Sequence, residues 1–192
     1  MLVGIDFGNK LSGNTVIAYT NPENQILFSK SNKGEDADEF IFDFILSACP
    51  SEIFIDAPLS LPGVYHNLAD CNDYFFRKAD KIASGMSPMF LGGLTARAIC
   101  LKNQALKKSV RFFETFPGYL ARDWGMNRYG YKKSGKNIPT ILELILKKVS
   151  FTVQNVATWH HIDALLALIS HHRYHTGEAK IFGLSEEGVI II

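Results

Sequence analysis

The 192-residue chain has little cysteine and no long apolar run. Cys49, Cys71 and Cys100 are scattered and odd in number, and there is no Cys-x-x-Cys pair, which argues against a disulfide framework and against a thiolate zinc site. No uninterrupted apolar stretch approaches the roughly 18 residues that a membrane-spanning helix needs, and the first residues lack the features of a signal peptide. We therefore predict a cytoplasmic protein with reduced thiols and no membrane partner.

A strong net charge is also missing, since the chain has 20 Lys and Arg residues and 19 Asp and Glu residues. The 47% of hydrophobic residues and 20% of charged residues are typical of globular proteins, and the length fits one domain. The charge is unevenly distributed, because residues 97–148 hold 12 Lys and Arg but only three acids. This basic segment indicates either a patch for polyanions or a set of solvated helix faces.

Hydrophobic periodicity predicts an α/β domain. Segments rich in β-forming residues, separated by turn residues, predict strands at 2–7, 15–19, 25–29, 53–55, 110–116, 180–183 and 189–192. Helical spacing occurs at 36–48, 66–83, 88–106, 119–124, 139–148 and 158–175. We expect a mixed central sheet flanked by helices, with the first three strands antiparallel and later strands added in parallel by crossovers, which is the order of a ribonuclease H-like fold. The single domain spans residues 1–192, with helical and basic insertions around 63–106 and 118–150.

Four carboxylates occupy positions at which the surrounding sequence is apolar. Asp6 interrupts the first strand, and strand alternation puts it on the face of Gly4 and Gly8, whose missing side chains leave room beside the carboxylate. The other three are Asp56 at the end of a short strand, Glu114 in the strand at 110–116, and Asp163 in the last helix.

A buried acid costs free energy unless it is paired, protonated or bound to a metal ion. Each of the four carboxylates taken alone has a simple structural explanation as a cap, a turn residue or a salt-bridge partner. Together they are the hard oxygen ligands that suit Mg²⁺ or Mn²⁺, and two such ions about 4 Å apart can stabilise the attacking and leaving oxygens of a phosphodiester displacement. We therefore predict a site for Mg²⁺ or Mn²⁺, with two ions, and with His160 one turn before Asp163 placed to assist.

Several short motifs follow one another in a defined order: Gly4-Ile-Asp-Phe-Gly8, Ile55-Asp-Ala-Pro-Leu-Ser-Leu-Pro62, Phe113-Glu-Thr-Phe-Pro117, His160-His-Ile-Asp-Ala-Leu165 and Glu187-Gly188-Val-Ile190. In this order they resemble the predicted-nuclease family known as domain of unknown function 429, over almost the whole chain. The resemblance implies a ribonuclease H-like fold related to Holliday-junction resolvases and transposases. It also implies Asp6, Asp56 and Asp163 as metal ligands, and Glu114 as a further acid at or near the site.

Two other features of the resemblance concern single positions. Members of the family tend to have an arginine and an aspartate like Arg77 and Asp80, whose spacing of three also fits a surface ion pair. We count Arg77 among the candidate nucleic-acid contacts. Related sequences often carry another acid in place of His160; a neutral imidazole can still ligate Mn²⁺ or position a water, but the lost charge weakens Mg²⁺ binding.

A second group of candidate nucleic-acid contacts lies in one loop. Residues 128–136 mix four cations with two tyrosines and two glycines. We expect the cations to contact phosphates and the tyrosines to stack on unpaired bases; a solvated loop without a partner is the alternative. The cations are Arg128, Lys132, Lys133 and Lys136.

Three histidines near the end of the last helix, His171, His172 and His175, resemble a metal-binding tract. Adjacent histidines point in different directions on a helix, and cations are favoured at a helix C-terminus. We therefore interpret them as a polar helix end.

Taken together, these patterns predict a metal-dependent nuclease whose partner is DNA or RNA. A catalytically inactive nucleic-acid-binding module of the same fold is the second hypothesis, and His160 favours it. The third is an actin-like nucleotide-binding protein, because residues 4–14 resemble the first phosphate loop of that class. Such proteins need a second lobe, which a homodimer of this chain could supply.

Overall fold

Eight strands and seven α-helices follow one another in the computed structural model, which describes all of residues 1–192. The strands are β1 (Val3–Asp6), β2 (Val16–Thr20), β3 (Gln25–Lys30), β4 (Glu52–Asp56), β5 (Arg111–Glu114), β6 (Thr152–Val153), β7 (Ile181–Leu184) and β8 (Gly188–Ile191). The helices are α1 (Ala37–Ala48), α2 (Lys78–Ala83), α3 (Pro88–Leu91), α4 (Gly93–Leu106), α5 (Pro117–Asp123), α6 (Ile138–Leu146) and α7 (Trp159–Thr176). Short 3₁₀ helices lie at Gly63–His66, Met126–Tyr129 and Gly135–Asn137.

Six strands form one mixed sheet in the order β5-β4-β1-β2-β3-β6. β1, β2 and β3 are an antiparallel meander, while β4 pairs in parallel with β1, and β5 pairs in parallel with β4. The prediction of a mixed α/β sheet with parallel additions is therefore confirmed. β6 is an unpredicted strand of two residues beside β3, and β7 and β8 form a separate antiparallel hairpin.

The two faces of the sheet have separate hydrophobic cores. On one face, Ile5 and Phe7 pack with residues of α1 and α4. On the other face, α5, α6 and α7 supply most of the apolar side chains. Because side chains alternate along a strand, Gly4 and Asp6 face α7, the helix that carries Asp163.

Gly4 allows α7 to approach β1 closely. A Cβ atom at this position would lie 2.1 Å from the backbone nitrogen of Leu168 and 2.5 Å from the carbonyl oxygen of Ala164. The open space that we expected beside Gly4 is therefore filled by the backbone of α7. This contact brings the first turns of α7 to the carboxyl end of β1.

The prediction of a helix at residues 66–83 is wrong over most of that range, because only α2 is α-helical there. Asn67 and Asp70 have φ angles of 54° and 64°, in the left-handed region that ends a helix. The Asp73 carboxylate then accepts hydrogen bonds from the backbone N–H groups of Phe75 and Phe76, which favours a turn over a helix.

The segments predicted as insertions, 63–106 and 118–150, connect β4 to β5 and β5 to β6. Within the first of them, α4 packs on the sheet and leads back into β5, as a crossover helix between parallel strands does. No helix of the protein combines the length and the apolar character needed to cross a membrane.

Candidate active site

Three of the predicted acids lie at one edge of the sheet. Asp6 and Asp56 are the last residues of the neighbouring strands β1 and β4, and they are paired with each other in parallel register. Asp163, in the second turn of α7, is 1% exposed. The sequence-based expectation that strand ends and the last helix bring these carboxylates together agrees with this arrangement.

Two of the three carboxylates have raised pKa values. Burial, followed by the negative charges of Asp6 and Asp163, holds the pKa of Asp56 well above its usual value. Burial also raises the pKa of Asp163, to about 6, although the Lys132 ammonium opposes the shift. The site therefore concentrates negative charge in a poorly solvated place, where a cation is strongly favoured.

His160 lies beside Asp6 at the start of α7. Its Nδ1 is 2.7 Å from Oδ2 of Asp6, and 39% of its side chain is exposed. The hydrogen bond to Asp6 raises the pKa of His160, and burial only partly opposes this shift. His160 thus occupies one oxygen of Asp6 and adds a partial positive charge near neutral pH.

The basic loop reaches the same acids through two consecutive residues. The Lys132 ammonium lies 2.5 Å from Oδ2 of Asp163, and the Tyr131 hydroxyl donates a hydrogen bond to Oδ1. Burial alone would lower the pKa of Lys132, but the charge of Asp163 outweighs it and raises that pKa. Both oxygens of Asp163 are therefore engaged by the loop.

Tyr131 was expected to stack on bases, and the structure does not support this role. Its ring is partly buried and packs edge-to-face on Trp159 at 5.5 Å, while its hydroxyl is bound to Asp163. The tyrosine positions the loop against α7. The other aromatic residue of the loop, Tyr129, is 53% exposed.

The remaining loop cations face solvent. Arg128, Lys133 and Lys136 are exposed, and none of them forms a salt bridge within the chain. They are free to contact an anion close to the acids that Lys132 touches.

Glu114 belongs to a different cluster. Its carboxylate accepts hydrogen bonds from Arg77 at 2.7 and 2.5 Å and from the backbone N–H of Leu59 at 2.8 Å. Glu114 pairs with Ile55 in the sheet, one position before Asp56. Its side chain therefore leaves the sheet on the face opposite to that of Asp56. Glu114 is thus close to Asp56 but is held by its own partner, Arg77.

Two expectations about Arg77 are wrong. Arg77 and Asp80 do form an ion pair, at 2.6 Å, but their side chains are 0% and 1% exposed, so the pair is buried. Arg77 therefore has no surface with which to contact nucleic acid. Burial would lower the pKa of Arg77, but the hydrogen bonds from Arg77 to Glu114 and Asp80 raise it, and the guanidinium stays charged.

A small cavity of about 80 Å³ joins the two clusters, since Asp56 and Glu114 both line it. Thr115 also lines it, and its buried hydroxyl has no hydrogen-bond partner. A buried polar atom without a partner costs roughly 1–3 kcal/mol. The cavity therefore offers an unused oxygen ligand beside Asp56.

The donor set fits a hard divalent cation in its chemistry. Asp6, Asp56 and Asp163 supply carboxylate oxygens, and His160 and Thr115 add one nitrogen and one hydroxyl nearby. The oxygens of the three aspartates do not all lie within 4.8 Å of one another. A shared cation therefore requires their side chains to turn inward and Lys132 to give up the oxygen of Asp163 that it now occupies. Asp6 can keep His160 on Oδ2 and offer its other oxygen.

Comparison of the chain with protein-family models, with curated proteins and with solved structures finds no match. The resemblance to domain of unknown function 429 thus rests on the motifs themselves.

Proposed function

We propose that the protein is a metal-dependent nuclease of ribonuclease H-like fold. The observation that carries the proposal is the ion pair between Lys132 and Asp163, because it joins a cation-rich loop to a cluster of three acids. Arg128, Lys133 and Lys136 belong to the same loop as Lys132 and are exposed, so they are the groups that would hold a phosphate on this side of the site.

The sheet supports the fold assignment. An antiparallel meander of β1, β2 and β3 is followed by β4 and β5, which extend the sheet in parallel from the other side of β1. This is the arrangement that the sequence predicted for a ribonuclease H-like domain. A fold hosts many functions, so the activity is argued from the site alone.

In this proposal each residue has a defined task. Asp6, Asp56 and Asp163 hold Mg²⁺ or Mn²⁺, which when bound supplies an activated water and neutralises charge on the phosphodiester. His160, fixed by Asp6 through Nδ1 and half-exposed, takes or gives a proton at Nε2. The loop cations orient the phosphate backbone.

A binding module that does not cut is the second candidate, and two contacts favour it. Lys132 on Asp163 and His160 on Asp6 already neutralise part of the acidic cluster without any metal ion. If both pairs persist when nucleic acid is bound, the acids have a structural role, and the loop cations provide the binding.

The experiment is a cleavage assay with labelled single-stranded, duplex, hybrid and branched substrates in Mn²⁺. Wild type is compared with Asp56→Asn and with Asp43→Asn, a matched change at an exposed acid of α1. We expect wild type and Asp43→Asn to cut, and Asp56→Asn to lose the activity. Equal cleavage by all three would indicate a contaminating nuclease and contradict the proposal. Binding without cleavage by wild type would favour the second candidate.

A further inference from the structure

A second group of possible metal ligands lies at the opposite end of α7 and β4. Glu52 is the first residue of β4, whereas Asp56 is its last, so the two are roughly 13 Å apart along the strand. His171 is eight residues after Asp163 on α7, a separation of about 12 Å along the helix axis. Glu52, His171 and His175 offer ligand atoms that all lie within 4.8 Å of one another.

We propose that Glu52, His171 and His175 form a zinc site that fastens the end of α7 to the sheet. The proposal is independent of the nuclease activity, since none of these residues touches the three aspartates.

The spacing of the two histidines supports the proposal. Residues four positions apart lie on the same face of a helix, so His171 and His175 point in the same direction while His172 points away. Their rings are 5.1 Å apart between centroids. The interpretation of the three histidines as only a polar helix end is therefore incomplete, because two of them meet a buried carboxylate.

The distances match a bound zinc ion. Nε2 of His175 lies 2.7 Å and Nε2 of His171 lies 3.4 Å from Oε2 of Glu52. Two ligands at about 2.1 Å from a tetrahedral zinc ion are about 3.4 Å apart. Small side-chain rotations therefore suffice to place an ion between the three atoms.

Surrounding groups hold the ligands in position. Nδ1 of His171 lies 3.0 Å from the backbone nitrogen and 3.1 Å from the carbonyl oxygen of Val3. Binding of an ion at Nε2 requires the tautomer in which Nδ1 carries the proton and donates it to the carbonyl oxygen of Val3. Arg111 binds the other oxygen of Glu52 and so fixes the carboxylate. Hydrogen bonds from outer groups to the ligands are typical of metal sites.

The ligand types select zinc over the ions proposed for the acidic cluster. Imidazole nitrogens suit Zn²⁺, while carboxylate and water oxygens suit Mg²⁺ and Mn²⁺. Glu52 and His171 are 6% and 2% exposed at their side chains, but His175 is 51% exposed. The ion therefore has an entry path, and water completes its coordination from the solvent side.

The test is zinc titration by calorimetry on protein stripped with a chelator, with Co²⁺ as a spectroscopic probe. We expect one high-affinity Zn²⁺ per chain, a rise in melting temperature on its addition, and the visible absorption of tetrahedral Co²⁺. His175→Gln should weaken Zn²⁺ binding by at least about 100-fold, because the loss of an outer partner alone costs about 10- to 100-fold.

Two control variants locate the ion. His172→Gln changes the neighbouring histidine, which packs on Phe151, and it should bind Zn²⁺ as wild type does. His160→Gln should also retain the ion, since His160 lies at the acidic end of α7. No Zn²⁺ binding by wild type, or equal binding by wild type and His175→Gln, would overturn the proposal. Circular dichroism checks that His175→Gln is folded, as expected for an exposed side chain.

Discussion

The Lys132 ammonium lies 2.5 Å from Oδ2 of Asp163 and occupies the carboxylate that a divalent cation would need. Asp163 is almost fully buried, whereas the Lys132 side chain is half-exposed, so the lysine can leave more easily than the aspartate can turn away. Under the proposed function, the loop would therefore compete with a metal ion for Asp163.

This competition predicts the effect of Lys132→Met. Lys132→Met removes the ammonium that occupies Oδ2 of Asp163 and repels a second cation there, and we expect Mn²⁺ to bind about tenfold more tightly, which corresponds to about 1.4 kcal/mol. Because loss of the ammonium also raises the pKa of Asp163, the titration is made well above pH 6, where the carboxylate is ionised. Calorimetric titration of both proteins with Mn²⁺ measures the change. Lys133→Met is the matched control, because Lys133 is exposed and forms no salt bridge. An unchanged or weaker affinity in Lys132→Met would show that the cation does not bind at Asp163.

A second prediction concerns the buried cluster around Arg77. Arg77→Met leaves the carboxylates of Glu114 and Asp80 buried without their cation, and breaking a buried pair in this way costs about 3–5 kcal/mol. We expect that loss in the free energy of unfolding measured with urea. Arg128→Met, at an exposed arginine, should change it by less than about 0.5 kcal/mol. Similar stabilities for the two variants would contradict the burial of Arg77.

The sequence predicts the elements of this fold better than it predicts the partners of single side chains. The meander and the face on which Asp6 lies follow from local alternation, whereas the parallel register of Asp6 with Asp56 is seen only in the structure. The burial of Arg77 depends on Glu114, 37 residues away, which no local pattern reveals.

The same reason explains the two site features that the sequence analysis missed. In the sequence Tyr131 is one of two tyrosines in a basic loop, and its contacts with Asp163 and Trp159 of α7 arise only in the folded chain. His175 and Glu52 are 123 residues apart, so the sequence did not show that the histidines meet a buried carboxylate. The spacing of four between His171 and His175 was the one local sign of a shared site.

A third prediction tests the close approach of α7 to β1. Gly4→Ala puts a methyl group against the backbone of Leu168, and neither backbone can move away cheaply. We expect a loss of about 3 kcal/mol in the free energy of unfolding. We also expect a lower affinity for Mn²⁺, because α7 carries Asp163. Gly93→Ala is the control, since a Cβ there meets nothing within 4 Å and should be neutral or slightly stabilising.

The last prediction is the pH dependence of stability without metal ions. The pKa of Asp163 is about 6 in the folded protein, against an ordinary value of 3.8. Between about pH 4 and 6 the folded state therefore binds more protons than the unfolded state, and its stability falls as the pH rises. The pKa of His160 is also raised, so its contribution is complete below about pH 6.5 and is lost as the pH rises through the folded value.

Both groups therefore favour the folded state of the chelator-treated protein at pH 5 over pH 7.5, while His171, whose pKa burial lowers to about 4, opposes them. Asp163→Asn should change the difference in stability between the two pH values by about 1 kcal/mol, because asparagine does not titrate and still accepts the hydrogen bond from Tyr131. Urea unfolding at the two pH values measures the effect, and Asp43→Asn, far from the cluster, should keep the full difference. An unchanged difference in Asp163→Asn would mean that Asp163 is already ionised at pH 5 in the folded protein.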